Sequence, residues 1–99
     1  MTGPSPLNSR SFLGIETTDD PTVWNLPVTP AVGGGMGQLF GGCALGLAIE
    51  QLEEMTSRPA AWATAQFISN AFPPEVVTFE ASLAAEGRNF AQGRVVGRV

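Results

Sequence analysis

The sequence predicts an α+β fold in which an antiparallel β-sheet wraps around one long central helix and is incomplete at its C-terminal edge. Three observations support this prediction. The run that begins at Gly41 and Gly42 is apolar on nearly every side, as expected of a helix that is covered all round. Three extended segments follow it, at residues 62–72, 76–86 and 90–99. The last of them has no later segment in this sequence to pair with, so one edge of the sheet is expected to stay open.

Length and composition indicate one small globular domain. The chain has 99 residues, and 43% of them are hydrophobic. Charged residues make up 14%, below the roughly 25% of a typical soluble domain, which favours a surface partly covered by another chain. The net charge is −4 and no basic cluster is present, so nucleic acid is excluded as a partner.

The counts of histidine and cysteine exclude several kinds of site. With no histidine and one cysteine, the chain has no ordinary zinc site, no histidine-based catalytic pair and no internal disulfide. No cofactor or metal ion is therefore expected. The sequence also lacks an apolar run of spanning length and a signal peptide, so no membrane association is expected and a cytoplasmic location is predicted.

The N-terminal part is predicted from its turn and strand signals. Residues 1–11 are expected to form a flexible leader, and the domain is expected to cover residues 12–99. Residues 12–15 are interpreted as a short strand or a docking segment, and a turn follows at residues 17–21. Residues 23–28 are predicted to form a strand in which Pro27 marks an edge or an end.

The central helix is predicted over residues 41–55, after a loop at residues 32–37 that contains four glycines. Its core stripe is predicted from a 3-4-3 spacing that comprises Leu45, Ala48, Leu52 and Met55. Its polar surface is predicted to comprise Glu50, Gln51, Glu53 and Glu54. Pro59 disfavours helical geometry in the residue before it, so the helix is expected to end in residues 56–59.

The strands after the helix are predicted to form an antiparallel meander. The clearest alternation of apolar and polar residues runs through residues 76–86. A hairpin turn is predicted at residues 86–89, followed by a partner strand at 90–99. The segment 62–72 is predicted to be the preceding strand, joined to the meander by Pro73 and Pro74.

The glycines do not indicate a nucleotide site. A G-x-G-x-x-G frame fails because Phe40 stands where the third glycine belongs, and a phosphate loop requires a lysine that the chain lacks. Gly41 and Gly42 at the helix start have two interpretations. They let a ligand approach free backbone amides able to polarise a thioester carbonyl, or they permit tight packing of the helix end under the sheet.

Other candidate groups also have a functional and a purely structural interpretation. Cys43 lies on the first helical turn, but no histidine is available as its base, which favours a structural role. The acids of the helix are either a general base or a solvated face; they are Glu50, Glu53 and Glu54. Polar residues of the next segment either line a pocket or bond across strands; they are Thr64, Gln66, Ser69 and Asn70. Three arginines either meet an acidic ligand such as a CoA phosphate or are solvated; they are Arg88, Arg94 and Arg98.

An ordered set of short phrases resembles one known family. They are Leu39-Phe40-Gly41-Gly42, Arg58-Pro59, Ala65-Gln66-Phe67-Ile68, Val77-Thr78-Phe79-Glu80, Gly87-Arg88-Asn89-Phe90 and Arg94-Val95-Val96. In this order they resemble the N-terminal hotdog domain of acyl-CoA thioesterases of the double-hotdog (type II) family. The resemblance covers residues 12–99 loosely and residues 39–98 more closely.

The resemblance implies a hotdog fold and a role in hydrolysis of acyl-CoA thioesters. In such proteins the catalytic acid and hydroxyl belong to a second hotdog, so no catalytic residue is assigned in this chain. The resemblance and the helix-start amides together assign substrate-binding roles to Phe40, Gly41, Gly42, Cys43 and Gln66. The expected partners are the acyl-CoA substrate and a second hotdog domain or another hotdog subunit.

Two alternatives stay open at this point. One is that the chain is a non-catalytic hotdog module that binds acyl chains or pairs with a partner subunit. The other is that it is a gene fragment without independent function. In each case the open strand at residues 90–99 is expected to recruit other strands, so a homo-oligomer is predicted. The chain by itself is predicted not to hydrolyse acyl-CoA.

Overall fold

The computed structural model describes residues 9–99 of the chain. The elements in chain order are helix α1 (Ser9–Leu13), strands β1 (Glu16–Thr17) and β2 (Val23–Pro27), a 3-10 turn at Pro30–Val32, helix α2 (Gly41–Thr56), and strands β3 (Val76–Glu86) and β4 (Ala91–Arg98). The predicted leader lies outside the described residues as far as residue 8, and residues 9–11 belong to α1.

The four strands form one antiparallel sheet in the order β1-β2-β3-β4. This confirms an α+β fold in which a long helix accompanies an antiparallel sheet. Pro27 is the last residue of β2, as its missing amide hydrogen requires at that position. Within the described residues, β4 has no neighbouring strand on its outer side.

The core lies between α2 and one face of the sheet. Trp24 of β2 is paired with Phe79 of β3, and both side chains are buried against Leu47 of α2. The rest of the buried cluster consists of Leu26, Val28, Val32, Ala71 and Val77. Residues from neighbouring strands and from the helix therefore fill a single core.

Helix α2 begins and ends close to its predicted bounds. Phe40 precedes it in extended geometry and offers no side-chain cap. At the other end Ser57 adopts a left-handed conformation with φ 56°, and its amide donates to the Glu53 carbonyl oxygen at 2.8 Å. The helix therefore stops at Thr56, two residues before the break that Pro59 imposes.

The predicted core stripe of α2 is wrong. The fully buried positions are Leu47 and Gln51, one turn apart, whereas Leu45, Ala48 and Leu52 are only half-buried. Because apolar residues lie on every side of this helix, the sequence pattern does not identify which face is buried. The buried face also contains a glutamine, which polarity alone assigns to the surface.

The predicted strand at residues 62–72 is also wrong. Residues 61–70 are exposed throughout and belong to no strand. A strand requires a neighbouring backbone to receive its hydrogen bonds. The strand that would have to provide it, β4, lies across an open groove from this segment.

The hairpin of β3 and β4 has the predicted bounds within two residues. The buried face of β3 begins as predicted, with Val77, Phe79 and Ala81. The alternation fails after Leu83 because the register shifts between Leu83 and Ala85, which leaves Ala85 exposed. The predicted turn is closed by a bond from the Gly87 amide to the Phe90 carbonyl oxygen at 2.9 Å.

The segment at residues 12–15 docks instead of forming a strand. Helix α1 ends at Leu13, and Leu13 and Ile15 pack against the core. Arg10 of the same helix pairs with Glu50 and Glu54 of α2. The N-terminal helix is therefore fastened to the long helix by both apolar and charged contacts.

Candidate functional site

A large concave feature is the groove between α2, β4 and the irregular segment that follows α2. It is open to solvent and has a volume of about 1600 Å³. Its floor is the half-buried face of α2, which comprises Leu45, Ala48, Ile49 and Leu52. One rim is β4, and the other is formed by residues 61–70.

The start of α2 forms one end of the groove. Gly41 lies under the ring of Phe67 so closely that a Cβ atom at Gly41 would come within 2.9 Å of the ring. Glycine is therefore needed there for a close approach, which is the packing interpretation of this residue. Gly42 is exposed, and a Cβ atom there would come within 2.6 Å of the Phe40 ring.

The free amides at this helix end are those of Gly41 and Gly42. The Cys43 amide donates to the Phe40 carbonyl oxygen at 3.0 Å, so it is already occupied. The Phe40 amide is likewise bonded to the Val32 carbonyl oxygen at 2.8 Å. Within residues 9–99 the Gly41 and Gly42 amides have no hydrogen-bond acceptor.

The predicted site residues are only partly brought together. Phe40, Gly41 and Gln66 all line the groove. Phe67, which follows Gln66 in the chain, places its ring against the helix start at Gly41. Cys43 instead packs against the core from the first turn of α2. Three of the five predicted residues therefore line the groove. Gly42 follows Gly41 in the chain but does not line the groove, and Cys43 packs against the core.

Cys43 has the properties of a structural cysteine. Burial raises the pKa of its thiol above the usual 9.0, because the thiolate loses solvation in this position. At neutral pH the group is therefore a thiol, which is a poor nucleophile.

The three acids of α2 are already engaged. Glu50 Oε1 lies 3.6 Å from Arg10 Nε, and Glu54 Oε2 pairs with Arg10 Nη2. Glu53 Oε2 accepts a hydrogen bond of 2.6 Å from the Ala60 amide. These contacts join the three carboxylates to α1 and to the segment after α2, as expected of structural acids.

The polar and basic candidates lie along the groove rims. The exposed rim of the irregular segment includes Thr64, Gln66, Ser69 and Asn70. Arg94 and Arg98 belong to the β4 rim, whereas Arg88 is exposed in the hairpin turn. The strand bonding that would have offered these polar side chains cross-strand partners is absent from residues 61–70.

Sequence reasoning missed three residues that organise this region. Gln51 is fully buried, and its Nε2 donates to the carbonyl oxygens of Thr22 at 2.9 Å and Phe79 at 3.2 Å. Arg10 stacks over the ring of Trp24, 4.8 Å from its centroid. Arg58 donates from Nη2 to the Gly87 carbonyl oxygen at 2.6 Å. One signal could have indicated that Gln51 is buried: it follows the apolar Leu47 by one helical turn and so lies on the same face of α2.

The groove thus combines an apolar floor with the free amide of Gly41 at one end, and the free amide of Gly42 is next to it in the chain. Among residues 9–99 no group of three histidine, cysteine, aspartate or glutamate side chains is arranged to hold a metal ion. None of the helices in that part of the chain combines the length and apolarity needed to cross a membrane.

Comparison of the chain with protein families, curated proteins and solved structures found no match.

Proposed function

We propose that this chain is the N-terminal hotdog part of an acyl-CoA thioesterase-like protein. In this proposal the chain contributes the fold, an interface and part of an acyl-CoA site, and a second hotdog supplies the catalytic acid and hydroxyl. The order of one helix and an antiparallel meander agrees with such a domain. The remaining wall of the sheet around α2 would come from the partner.

The observation that carries the proposal is the free amide of Gly41 at the end of an apolar groove, with the free amide of Gly42 next to it in the first turn of α2. An acyl chain would lie along the α2 floor, against Ala48 and Leu52, with its thioester carbonyl at the helix start. Two backbone amides there are suited to stabilise the oxyanion that forms when water attacks the carbonyl. The partner hotdog would activate that water.

The second candidate function is a non-catalytic module that binds acyl chains. The observation that favours it is the engagement of every acid on α2, together with a cysteine held as a thiol. Each carboxylate of α2 is then bound to another part of the chain and not placed to activate water. Both candidates predict acyl-CoA binding, and they differ in whether a second hotdog restores turnover.

Calorimetric titration with a decyl-CoA thioether, which cannot be hydrolysed, tests the shared prediction. Saturable binding is expected, and Ala48→Arg is expected to weaken it at least tenfold because it places a charge on the groove floor. The matched control is Ala31→Arg, at an exposed alanine outside the groove. Equal affinity of the two variants, or no binding by the unmodified chain, would overturn the proposed site.

Chromatographic detection of CoA released from decanoyl-CoA tests whether catalysis requires a second hotdog. The purified chain is expected to release none above the uncatalysed rate. Turnover by the chain alone would contradict the assignment of catalysis to a second hotdog.

A further inference from the structure

The two edges of the sheet differ greatly in length. At one edge β1 contributes only two residues, which limits pairing with other chains. At the other edge β4 is eight residues long, and its outer side faces the groove with no neighbouring strand among residues 9–99. An edge of this length presents a row of backbone groups that a further strand can pair with.

The opposite rim of the groove is a second unpaired backbone. Residues 61–70 are held at their two ends, where the Ala60 amide bonds to Glu53 Oε2 and the Leu39 amide bonds to the Ala71 carbonyl oxygen at 2.8 Å. Between these anchors, no hydrogen bond links residues 61–70 to any part of the described chain. Trp62 is 82% exposed and Ile68 is 91% exposed.

The groove between these rims has more room than a small ligand needs. Its volume of about 1600 Å³ exceeds the 300–1,000 Å³ that is typical of small-ligand pockets. Its floor is apolar along α2, and each rim includes backbone that has no strand partner on the groove side among residues 9–99. These properties are those of a surface that binds an extended peptide by adding it to a sheet.

We propose that the groove is a docking site for an extended strand of a partner polypeptide, in which apolar residues facing α2 alternate with acidic residues facing away from it. The strand pairs with the outer edge of β4. This inference does not depend on the proposed function, because it follows from the two unpaired rims, the apolar floor and the charge of the walls.

The apolar requirement follows from the register of β4. Val95 and Gly97 are paired with the buried residues Ala81 and Phe79, so this set of β4 positions faces α2. Side chains of the next strand alternate between the same two faces. Every second residue of the docked strand therefore lies over the apolar floor.

The acidic requirement follows from Arg94 and Arg98. They are paired with Ser82 and Thr78 on the face of the sheet that points away from α2. Neither residues 58–71 nor residues 87–99 contain an acidic side chain, so the charged side chains of the two rims are all positive. The acid that lines the groove, Glu53, belongs to α2 and accepts a hydrogen bond from the Ala60 amide. Opposite charges directly across a strand pair are favourable, and like charges are unfavourable.

The same charges disfavour a second copy of this chain as the occupant. Antiparallel pairing of β4 with β4 of another copy would place four arginines on one face of the joined strands, with no acid on either strand. Residues 61–70 of another copy also lack acids. The sequence predicts a homo-oligomer through this open strand. A homodimer through β4 is therefore the competing arrangement that the experiment must exclude.

Arg58 provides an independent sign of a missing neighbour. Its side chain lines the groove, and its Nη1 is buried without an acceptor among the described residues. An unsatisfied buried donor of a charged group is costly. A carbonyl or carboxylate oxygen of the docked strand would provide the acceptor.

The probe is an acetylated and amidated octapeptide that alternates valine and glutamate, titrated into the 99-residue chain. The fluorescence of Trp62 reports binding, because the only other tryptophan, Trp24, is buried. Saturable one-to-one binding is expected. Hydrogen exchange is expected to slow at least tenfold at amides of both β4 and residues 61–70.

The charge requirement is tested by changing each side in turn. The double variant Arg94→Glu and Arg98→Glu is expected to weaken binding at least tenfold, whereas Arg88→Glu in the hairpin turn is expected to leave it within twofold. An octapeptide that alternates valine and lysine is expected to bind the unmodified chain at least tenfold more weakly. Unfolding midpoints of the variants confirm that they are folded.

Four outcomes would overturn the proposal. Three concern binding: the valine–glutamate peptide fails to bind, the valine–lysine peptide binds equally well, or the double arginine variant binds with unchanged affinity. The fourth is a stable homodimer in light scattering whose β4 amides are protected from exchange without peptide. A failure of decyl-CoA binding would leave this proposal standing, and a failure of the peptide would leave the acyl-CoA proposal standing.

Discussion

Gln51 of α2 donates from its side-chain Nε2 to the Phe79 carbonyl oxygen of β3 at 3.2 Å, inside the core. The same nitrogen donates to the Thr22 carbonyl oxygen at 2.9 Å. A single amide group therefore connects the long helix to the sheet and to the turn before β2. Its Oε1 is buried and has no partner among residues 9–99, so the connection is made by the two donor hydrogens alone.

Replacement of Gln51 by leucine is expected to destabilise the protein. The substitution keeps most of the side-chain volume but removes both hydrogen bonds of the amide, at a cost of about 1–3 kcal/mol. The Thr22 carbonyl oxygen keeps only the bond from the Ala81 amide at 2.8 Å. Chemical denaturation measures the free energy of unfolding, and Gln92→Leu on an exposed position of β4 serves as the control. Stability equal to that of the unmodified chain would mean that removal of the unpaired Oε1 offsets the lost bonds.

Replacement of Arg10 by alanine is expected to loosen α1. The guanidinium pairs with Glu50 and Glu54 and stacks on Trp24, and removal of such partly exposed contacts typically costs about 1 kcal/mol. The loss is expected to shrink at 1 M salt, where the ion pairs are screened but the stacking on Trp24 remains.

The control for this prediction is Arg88→Ala, which removes an exposed arginine that makes no contact among the described residues. It should change the free energy of unfolding by less than about 0.5 kcal/mol. An equal effect of the two substitutions would show that the contacts of Arg10 contribute nothing specific.

Replacement of Gly97 by valine is expected to disturb the core through Phe79. A Cβ atom at Gly97 would lie 2.9 Å from the ring of Phe79, which is itself buried. Overpacking of this kind costs about 1–3 kcal/mol. Thermal unfolding and denaturant titration both measure the loss.

Gly46→Ala is the matched glycine substitution, because a Cβ atom there meets nothing within 4 Å. In the interior of α2 it is expected to stabilise the chain by roughly 0.5–1 kcal/mol. Destabilisation by both substitutions would argue against the described approach of Gly97 to Phe79.

The stability of the protein is expected to decline at high pH because of Cys43. Burial raises the pKa of this thiol in the folded state, so the unfolded state loses its proton first. The contribution of the thiol is therefore complete below the unfolded pKa and is lost as the pH rises through the folded pKa. The decline should begin near the usual value of 9.0.

Cys43→Ala removes this titration, so comparison of its free energy of unfolding with that of the unmodified chain between pH 7 and 10 checks the prediction. The unmodified chain should lose more stability over the upper part of this range. Parallel profiles would show that the thiol titrates alike in both states. Alkylation by iodoacetamide, followed over the same range, should show a midpoint above that of an unfolded cysteine.

The amino-acid sequence by itself determined the local elements whose signals are intrinsic to them. Alternation in residues 76–86 predicted β3, and the polar turn after it predicted the hairpin with β4. The glycines at positions 41 and 42 and the proline at 59 bracketed α2 within two residues. In each case the signal is a backbone preference or a period that a short segment carries without its neighbours.

Only the tertiary structure decided which face of α2 is buried and whether residues 62–72 form a strand. The first depended on the two carbonyl oxygens that Gln51 reaches, which no pattern within the helix reveals. The second depended on whether another backbone lies within hydrogen-bonding distance, because a strand is stabilised by its neighbour and not by its own residues. In the part of the chain that the structure describes, no such neighbour lies beside residues 61–70, so a segment with the pattern of a strand is unpaired there.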